Sequence, residues 1–268
     1  MNVASEANPL RRFAGVRPVA ALFFAYLYLP IIILLVLSFN ANDSATIWTG
    51  FSTHWYGAVL GNDDILRAAS NSLLIALSAT LLATTTATLA ALGMSRQAAG
   101  AGAANTINGI ISLPLVVPEI VTAVATLLFF VLLGLQLGLL TVIIAHTVFC
   151  IPFAYLPIRA RLTGMDASLR EAAMDLYANE WLTFRRITLP LLWPGILSGA
   201  MLAFIISLDD FVITYFVAGA GATTLPVYIF GMIRIGITPE VNAISALMLV
   251  VSIMFVSLSY LLGRARSV

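Results

Sequence analysis

Long apolar runs, separated by short polar or arginine-bearing stretches, organise this chain. About 20 apolar residues, at 1.5 Å rise each, carry a helix across a hydrocarbon core ~30 Å thick. Six segments meet that length: Pro18–Phe39, Ala68–Met94, Ile107–Leu133, Gly138–Pro157, Leu189–Leu208 and Pro239–Leu262. The third is interrupted by Pro114, Pro118 and Glu119, so its backbone is expected to be distorted. The sixth opens on Thr238-Pro239-Glu240, an N-cap residue, a proline at the first helical position and an acid in the first turn. The fold class that follows is an all-α membrane protein with about six transmembrane helices.

Two outer connections are long. The stretch 40–67 carries Trp48, Phe51, Trp55 and Tyr56, aromatic residues that favour the headgroup layer. The stretch 209–238 holds two apolar pieces, Phe211–Ala218 and Leu225–Gly236, too short to span and separated by Gly219-Ala220-Gly221. Re-entrant or interfacial pieces buried against protein are expected there. No internal repeat stands out.

Composition narrows the class. The chain is 61% hydrophobic and 9% charged, where a soluble domain carries roughly 25% charged residues. Its solvent must be largely lipid. The near-zero net charge gives no reason to expect nucleic acid. All thirteen basic residues are arginine, so no phosphate-binding P-loop of the Walker type, which needs a lysine, can be present. Any ATP that drives this protein is held by another chain. The single cysteine, Cys150, cannot form an internal disulfide. The first apolar run is too long for a signal-peptide core and is followed by Asn40-Ala41-Asn42-Asp43, so it reads as a retained helix.

Arginine placement sets orientation. With the N-terminus inside, the segments 1–17, 95–106, 158–186 and 263–268 hold eleven of the thirteen arginines, leaving Arg67 and Arg234 outside. Both termini are expected to be cytoplasmic. The organisation is then a tail (1–17), a transmembrane domain (18–262) with a large inner loop (158–186), and a second tail (263–268).

Within that inner loop, Ser168 and Glu171 have capping-box spacing and predict a helix from Leu169. Leu169, Ala172, Ala173 and Leu176 recur at helical spacing and form one apolar face. A second short helix is expected from Glu180 to about Thr188, ahead of Pro190. Periodicity alone leaves two readings open: an amphipathic linker on the membrane surface, or a docking helix for a soluble partner.

Ionisable groups at membrane depth are costly and tend to face a cavity or a partner. Glu119, after Pro118, is the clearest candidate for a substrate path; Asp209 and Asp210 at the outer end of the fifth helix are the others. Adjacent helical residues point about 100° apart, so the two aspartates cannot face the same way. The outer segments hold Asp43, Asp63, Asp64, Asp209, Asp210 and Glu240 against two arginines, a balance that suits organic cations. Phe211 and Tyr215, one turn apart, could offer ring faces to an ammonium, or face lipid. A carboxylate that pairs with a neighbouring subunit, or a solvated helix end, would equally explain the acids. His54 and His146 with Cys150 make no metal set; His146 reads as a buried, hydrogen-bonded histidine. No nucleophile–base cluster of a membrane enzyme can be argued from spacing.

The sequence Glu171-Ala172-Ala173, followed at the right distance by Ile187-Thr188-Leu189-Pro190, resembles the EAA loop of binding-protein-dependent ABC importer permeases. Ser38-Phe39-Asn40, Trp55-Tyr56, Ser207-Leu208-Asp209-Asp210 and Pro239-Glu240-Val241-Asn242-Ala243 resemble the second permease of spermidine/putrescine importers, so the likeness covers nearly the whole chain. It implies a type I importer permease fold in a bacterial inner membrane. It implies as partners a second homologous permease, two ATPase subunits that carry ATP and magnesium, and an extracytoplasmic binding protein, with no cofactor in this chain. It implies that Glu171, Ala172, Ala173, Asp175, Leu176 and Tyr177 form a coupling helix; with a cargo of putrescine or spermidine, Glu119, Asp209, Asp210, Phe211 and Tyr215 are the candidate path residues on the charge and ring arguments above. Other small solutes, such as γ-aminobutyrate or an opine, fit the same permease role. A stand-alone secondary transporter would leave the EAA loop unexplained. The family pattern has glycine where this chain has Tyr177. Tyrosine in left-handed geometry costs roughly 1–2 kcal/mol, so the break after the coupling helix is expected to be reshaped or shifted to Asn179.

Overall fold

The structure is a computed structural model that describes residues 16–45, 47–96, 101–166, 168–236 and 238–264, with side chains for all of these but 96, 101–104 and 258–264. The elements are α1 (Val16–Leu37), α2 (His54–Leu60), α3 (Asp63–Arg96), α4 (Ala101–Val116), α5 (Glu119–Leu132), α6 (Leu139–Thr163), α7 (Ser168–Asp175), α8 (Glu180–Thr183), a π-helical turn (Phe184–Thr188), α9 (Leu189–Asp209), α10 (Val212–Val217), α11 (Leu225–Ile235) and α12 (Pro239–Arg264). Apart from one bridge between Asn40 and Phe51, no strand pairing occurs among the described residues. Five helices are long and apolar enough to cross a membrane. The sixth expected span is a broken pair, α4 and α5, bent by 106°. Pro118 causes the break: it is extended (φ −54°, ψ 133°) and stands as the first flank of α5, where its missing N–H costs nothing. Of the arginines behind the expected orientation, Arg11, Arg12 and Arg266 lie outside the described residues, as do most of both tails.

The chain divides into two units, Met1–Gly61 with Met232–Leu249, and Asn62–Gly231 with Val250–Val268. In the first, α1 buries none of its residues and is apolar on every side, as a helix surrounded by lipid or by another chain would be. The loop after it is folded around Asn40. The Asn40 amide donates to the carbonyls of Ser44 (3.1 Å) and Ile47 (2.7 Å), and its oxygen accepts from the backbone N–H of Asn42 and Thr49. Trp55 Nε1 donates to the Asn40 carbonyl at 3.0 Å, and the Ser38 and Tyr56 hydroxyls meet at 2.6 Å. Phe39 stacks on Phe51, which remains exposed with Trp48.

The second unit is built on α3, α6 and α9, packed through columns of small residues. Ala79, Ala83, Ala87 and Ala91 recur every fourth residue on α3 and are buried. On α9 the column is Gly195, Gly199 and Ala203. A Cβ at Gly199 would lie 2.5 Å from the Ala154 carbonyl oxygen of α6, and one at Gly195 would lie 2.7 Å from Arg161 Cβ. In lipid, where apolar burial drives little, close backbone approach through small residues is what lets helices gain dispersion contact. Farther out, Phe130 of α5, Val142 and Phe149 of α6, and Ile213 and Val217 of α10 share one apolar cluster, so the short α10 is tucked inside the unit as expected of a re-entrant piece. The turn after it uses Gly221 in left-handed geometry (φ 81°). Asn71 Nδ2 on α3 ties that turn down by donating to the carbonyls of Gly221 and Thr223, and Leu225 N–H donates to Ser72 Oγ.

Candidate functional site

Two parts of the second unit carry the chemistry that the sequence singles out. The first is the junction of α9 and α10. α9 ends at Asp209, and Asp210 turns extended (φ −63°, ψ 126°) before α10 begins. Its carboxylate then accepts from the first-turn N–H groups of α10, Thr214 at 2.9 Å and Ile213 at 3.4 Å, so the aspartate starts the helix that follows it. The Thr214 hydroxyl donates to the same oxygen at 3.0 Å. His146 of α6 completes the group. Its Nε2 lies 3.1 Å from Asp210 Oδ1 and 2.9 Å from Thr214 Oγ1, and its Nδ1 lies 2.8 Å from Ser207 Oγ. With the Thr214 hydrogen committed to Asp210, the ring donates through Nε2, and the Ser207 hydroxyl can donate to Nδ1.

His146, Ser207, Asp210 and Thr214 are all buried. Each satisfies another, which is the condition for placing a carboxylate at this depth. Glu119, the first residue of α5 after the Pro118 break, is half-buried and brings its carboxyl within hydrogen-bonding reach of Asp210. Asp209 points elsewhere and is exposed, as the angular separation of neighbouring helical residues requires. The Phe211 and Tyr215 rings lie tilted against each other, 5.3 Å between centroids, and Phe230 of α11 joins both, at 4.6 Å from Phe211 and 6.0 Å from Tyr215.

The structure thus unites Glu119, Asp210 and His146, which sequence reasoning treated separately. Ser207, Thr214 and Phe230 are the members it missed. Thr214 had a local signal, four residues after an aspartate; Ser207 and Phe230 had none. Cys150, one turn from His146, donates weakly to the Ala203 carbonyl and shares no ligand set with it.

The second part is the connection between α6 and α9. α7 and α8 form where expected, but the start is capped differently. Asp166, not Ser168, supplies the cap oxygen, accepting from Ser168 N–H at 2.9 Å. That backbone hydrogen bond, with help from the Ser168 hydroxyl, holds the Asp166 carboxyl below the usual carboxylate range. Ala167 lies outside the described residues. The break after α7 is not shifted to Asn179. Tyr177 itself takes the left-handed conformation (φ 59°), and Asn179, at φ −73° and ψ 167°, caps α8 by accepting from Leu182 N–H. The chain keeps the turn that a glycine would make and accepts the strain, because Ala178 N–H and Tyr177 N–H close back on the carbonyls of Ala173 and Met174. Arg170 spans the turn to Glu180 at 3.3 Å. Of the expected apolar face, Ala173 alone is buried; Leu169, Ala172 and Leu176 are exposed, and Tyr177 is 98% exposed. Glu171 and Asp175 are exposed beside them.

Residues 84–267 match one family model: binding-protein-dependent transport system inner membrane component. The chain belongs to this family. Among curated relatives, it is 38% identical to the spermidine/putrescine transport system permease protein PotC of Escherichia coli (strain K12) over 244 residues, 91% of this chain and 92% of that one. It is 41% identical to the putrescine transport system permease protein PotI of the same organism over 250 residues, covering 91% and 89%. Among solved structures, a bacterial ABC transporter involved in the import of the acidic polysaccharide alginate superposes with a TM-score of 0.73 at 17% identity, over 94% of each chain. The MetNI methionine ABC transporter follows with 0.66 at 20% identity, over 76% of this chain and 96% of that one. At such identities the likeness is one of fold. The protein is therefore an all-α, multi-pass membrane permease of the ABC importer type, a transport subunit and not an enzyme.

Proposed function

We propose that this permease forms half of the translocation path of an ATP-driven polyamine importer in a bacterial inner membrane, with putrescine or spermidine as cargo. The observation that carries the reading is 38–41% identity along 91% of the chain to permeases of spermidine/putrescine and putrescine systems. Two features agree with a cationic cargo: the Glu119 and Asp209 carboxyls keep accessible surface, and Tyr215 with Phe211 offers ring faces close by in sequence. Asp210, spent on His146 and α10, would shape the path from behind. With both termini cytoplasmic, as the arginines favour, α7 faces the cytoplasm. There its exposed Leu169, Ala172 and Leu176, with Glu171, Asp175 and Tyr177, would seat on one of two ATPase subunits. Burying Leu176 there would contribute about 1.5–3 kcal/mol, and Leu169, already more than half covered, roughly half as much. ATP and magnesium belong to those subunits, a second permease completes the path, and an extracytoplasmic binding protein delivers the cargo. Closure of the ATPase pair would move the coupling helices together and open the path outward; hydrolysis would reset it.

The test is ATP-dependent uptake of labelled putrescine and spermidine, with γ-aminobutyrate as control, by the chain expressed with its neighbouring transport subunits. Polyamine uptake is expected. Glu171→Lys should leave the protein in the membrane with ATP hydrolysis uncoupled from transport, and normal uptake in that variant would sink the coupling assignment. Glu119→Ala should slow polyamine uptake about tenfold, a loss of the order of one charge-assisted contact, while the complex still assembles. Uptake of the control alone would keep the permease and discard the cation path.

A further inference from the structure

Between α3 and α9, beside the π-helical turn, runs a groove of about 520 Å³ whose lining includes none of the residues proposed for the polyamine path. Leu77, Leu81, Leu89 and Leu92 line it from α3, Trp193 and Ile196 from α9, and Phe184 closes one end. Threonines also line it, yet its wall is almost wholly hydrocarbon. Thr85 and Thr88 turn their hydroxyls back onto the carbonyls of Leu81 and Thr84, each at 2.7 Å, and the Thr80 and Thr84 hydroxyl oxygens are sealed from the surface. The groove carries no charged side chain, so it offers a cation no counter-charge. From Leu77 to Leu92 it extends about 22 Å along α3, more than the ~15 Å of one leaflet's hydrocarbon. The groove is sized for a hydrocarbon chain.

Charge identifies the head that such a chain carries. Phe184 is followed by Arg185 and Arg186, both exposed, on the same wide turn. Neighbouring positions on the turn diverge, but arginine side chains are long enough for either guanidinium to reach a phosphate at the membrane surface, and their charge distinguishes anionic from zwitterionic headgroups. We propose that an anionic phospholipid binds here, one acyl chain in the groove between α3 and α9 and its phosphate on Arg185 and Arg186. The lipid would then touch the turn that joins α8 to α9.

The test uses the assembled transporter in membranes containing diazirine-acyl phosphatidylglycerol or phosphatidylcholine with the same chain. After photolysis, crosslinks are mapped on this chain by mass spectrometry. Phosphatidylglycerol should label Leu81, Leu89, Trp193 and Ile196 about thirtyfold more than phosphatidylcholine, the scale of two arginines at an anionic surface. Arg185→Gln with Arg186→Gln should remove that preference. Equal labelling by both lipids would overturn the site, leaving ordinary boundary lipid. An absence of groove labelling beside labelled outer faces would overturn it in favour of a covering protein helix. Should the double variant fail to assemble, Ala200→Phe, which fills the groove and keeps both arginines, must lower groove labelling by itself; unchanged labelling in that variant overturns the proposal.

Discussion

At the junction of α9 and α10 the chain gathers polar atoms out of lipid and pairs them with one another; at α7 it sets apolar side chains outward and leaves them there. His146, Ser207, Asp210 and Thr214 come from α6, α9 and α10 and are mutually satisfied within 3.1 Å. Leu169, Leu176 and Tyr177 share one short helix and its end, and all are exposed. The first arrangement holds elements of one chain together and is worth most when nothing disturbs it. The second has value only once another surface covers it. On the function proposed above, stability and coupling are located in different parts of the same unit, and substitutions should separate them.

The largest effect is expected at the buried junction. Asp210→Ala strands His146 and the Thr214 and Ile213 donors without an acceptor, and should cost about 3 kcal/mol. Thermal melting of the purified complex checks this; a melting temperature within a degree of the parent would mean that the junction is not a source of stability. Next comes Gly199→Ala, whose new methyl meets the Ala154 carbonyl oxygen at 2.5 Å. Forcing α6 and α9 apart should cost about 1–3 kcal/mol, read in the same melting experiment, with coupling unharmed in the molecules that remain folded. The smallest effect has the opposite sign. Tyr177→Gly removes the left-handed strain at an exposed position and should stabilise the α7–α8 turn by about 1 kcal/mol. Hydrogen exchange at Tyr177 and Ala178 would slow, and unchanged exchange would show that the strain is already relieved elsewhere.

Much of the fold was legible because membrane spans are set by length and hydropathy, which depend on local sequence. Five spans and the proline-interrupted sixth stand where the apolar runs place them. α3 begins at Asp63, ahead of the apolar run, because Asn62 Oδ1 accepts from Asp64 N–H and the acids favour a helix start. The 106° bend at Pro118 was legible as a break but not as an angle, since the angle depends on what α5 packs against. The polar junction was half legible. A buried histidine and costly carboxylates can be suspected singly, but the pairing of His146 with Ser207 and Thr214 joins residues 61 and 68 positions apart. The small-residue columns on α3 and α9 carried a visible four-residue period that hydropathy overlooks. The cap at Asp166 was missed because Asp166 and Ser168 can both cap, and the backbone beyond them decides.

Asn40 has a consequence for how fast this protein meets its partners. Its side chain makes four hydrogen bonds to the backbone of its own loop, so the conformational entropy of that loop is lost during folding and not at an encounter. Whatever docks on the face bearing Trp48 and Phe51 meets a finished surface. Association there should proceed as the collision of two rigid bodies, its rate set by diffusion and orientation, with no slow phase for ordering the loop.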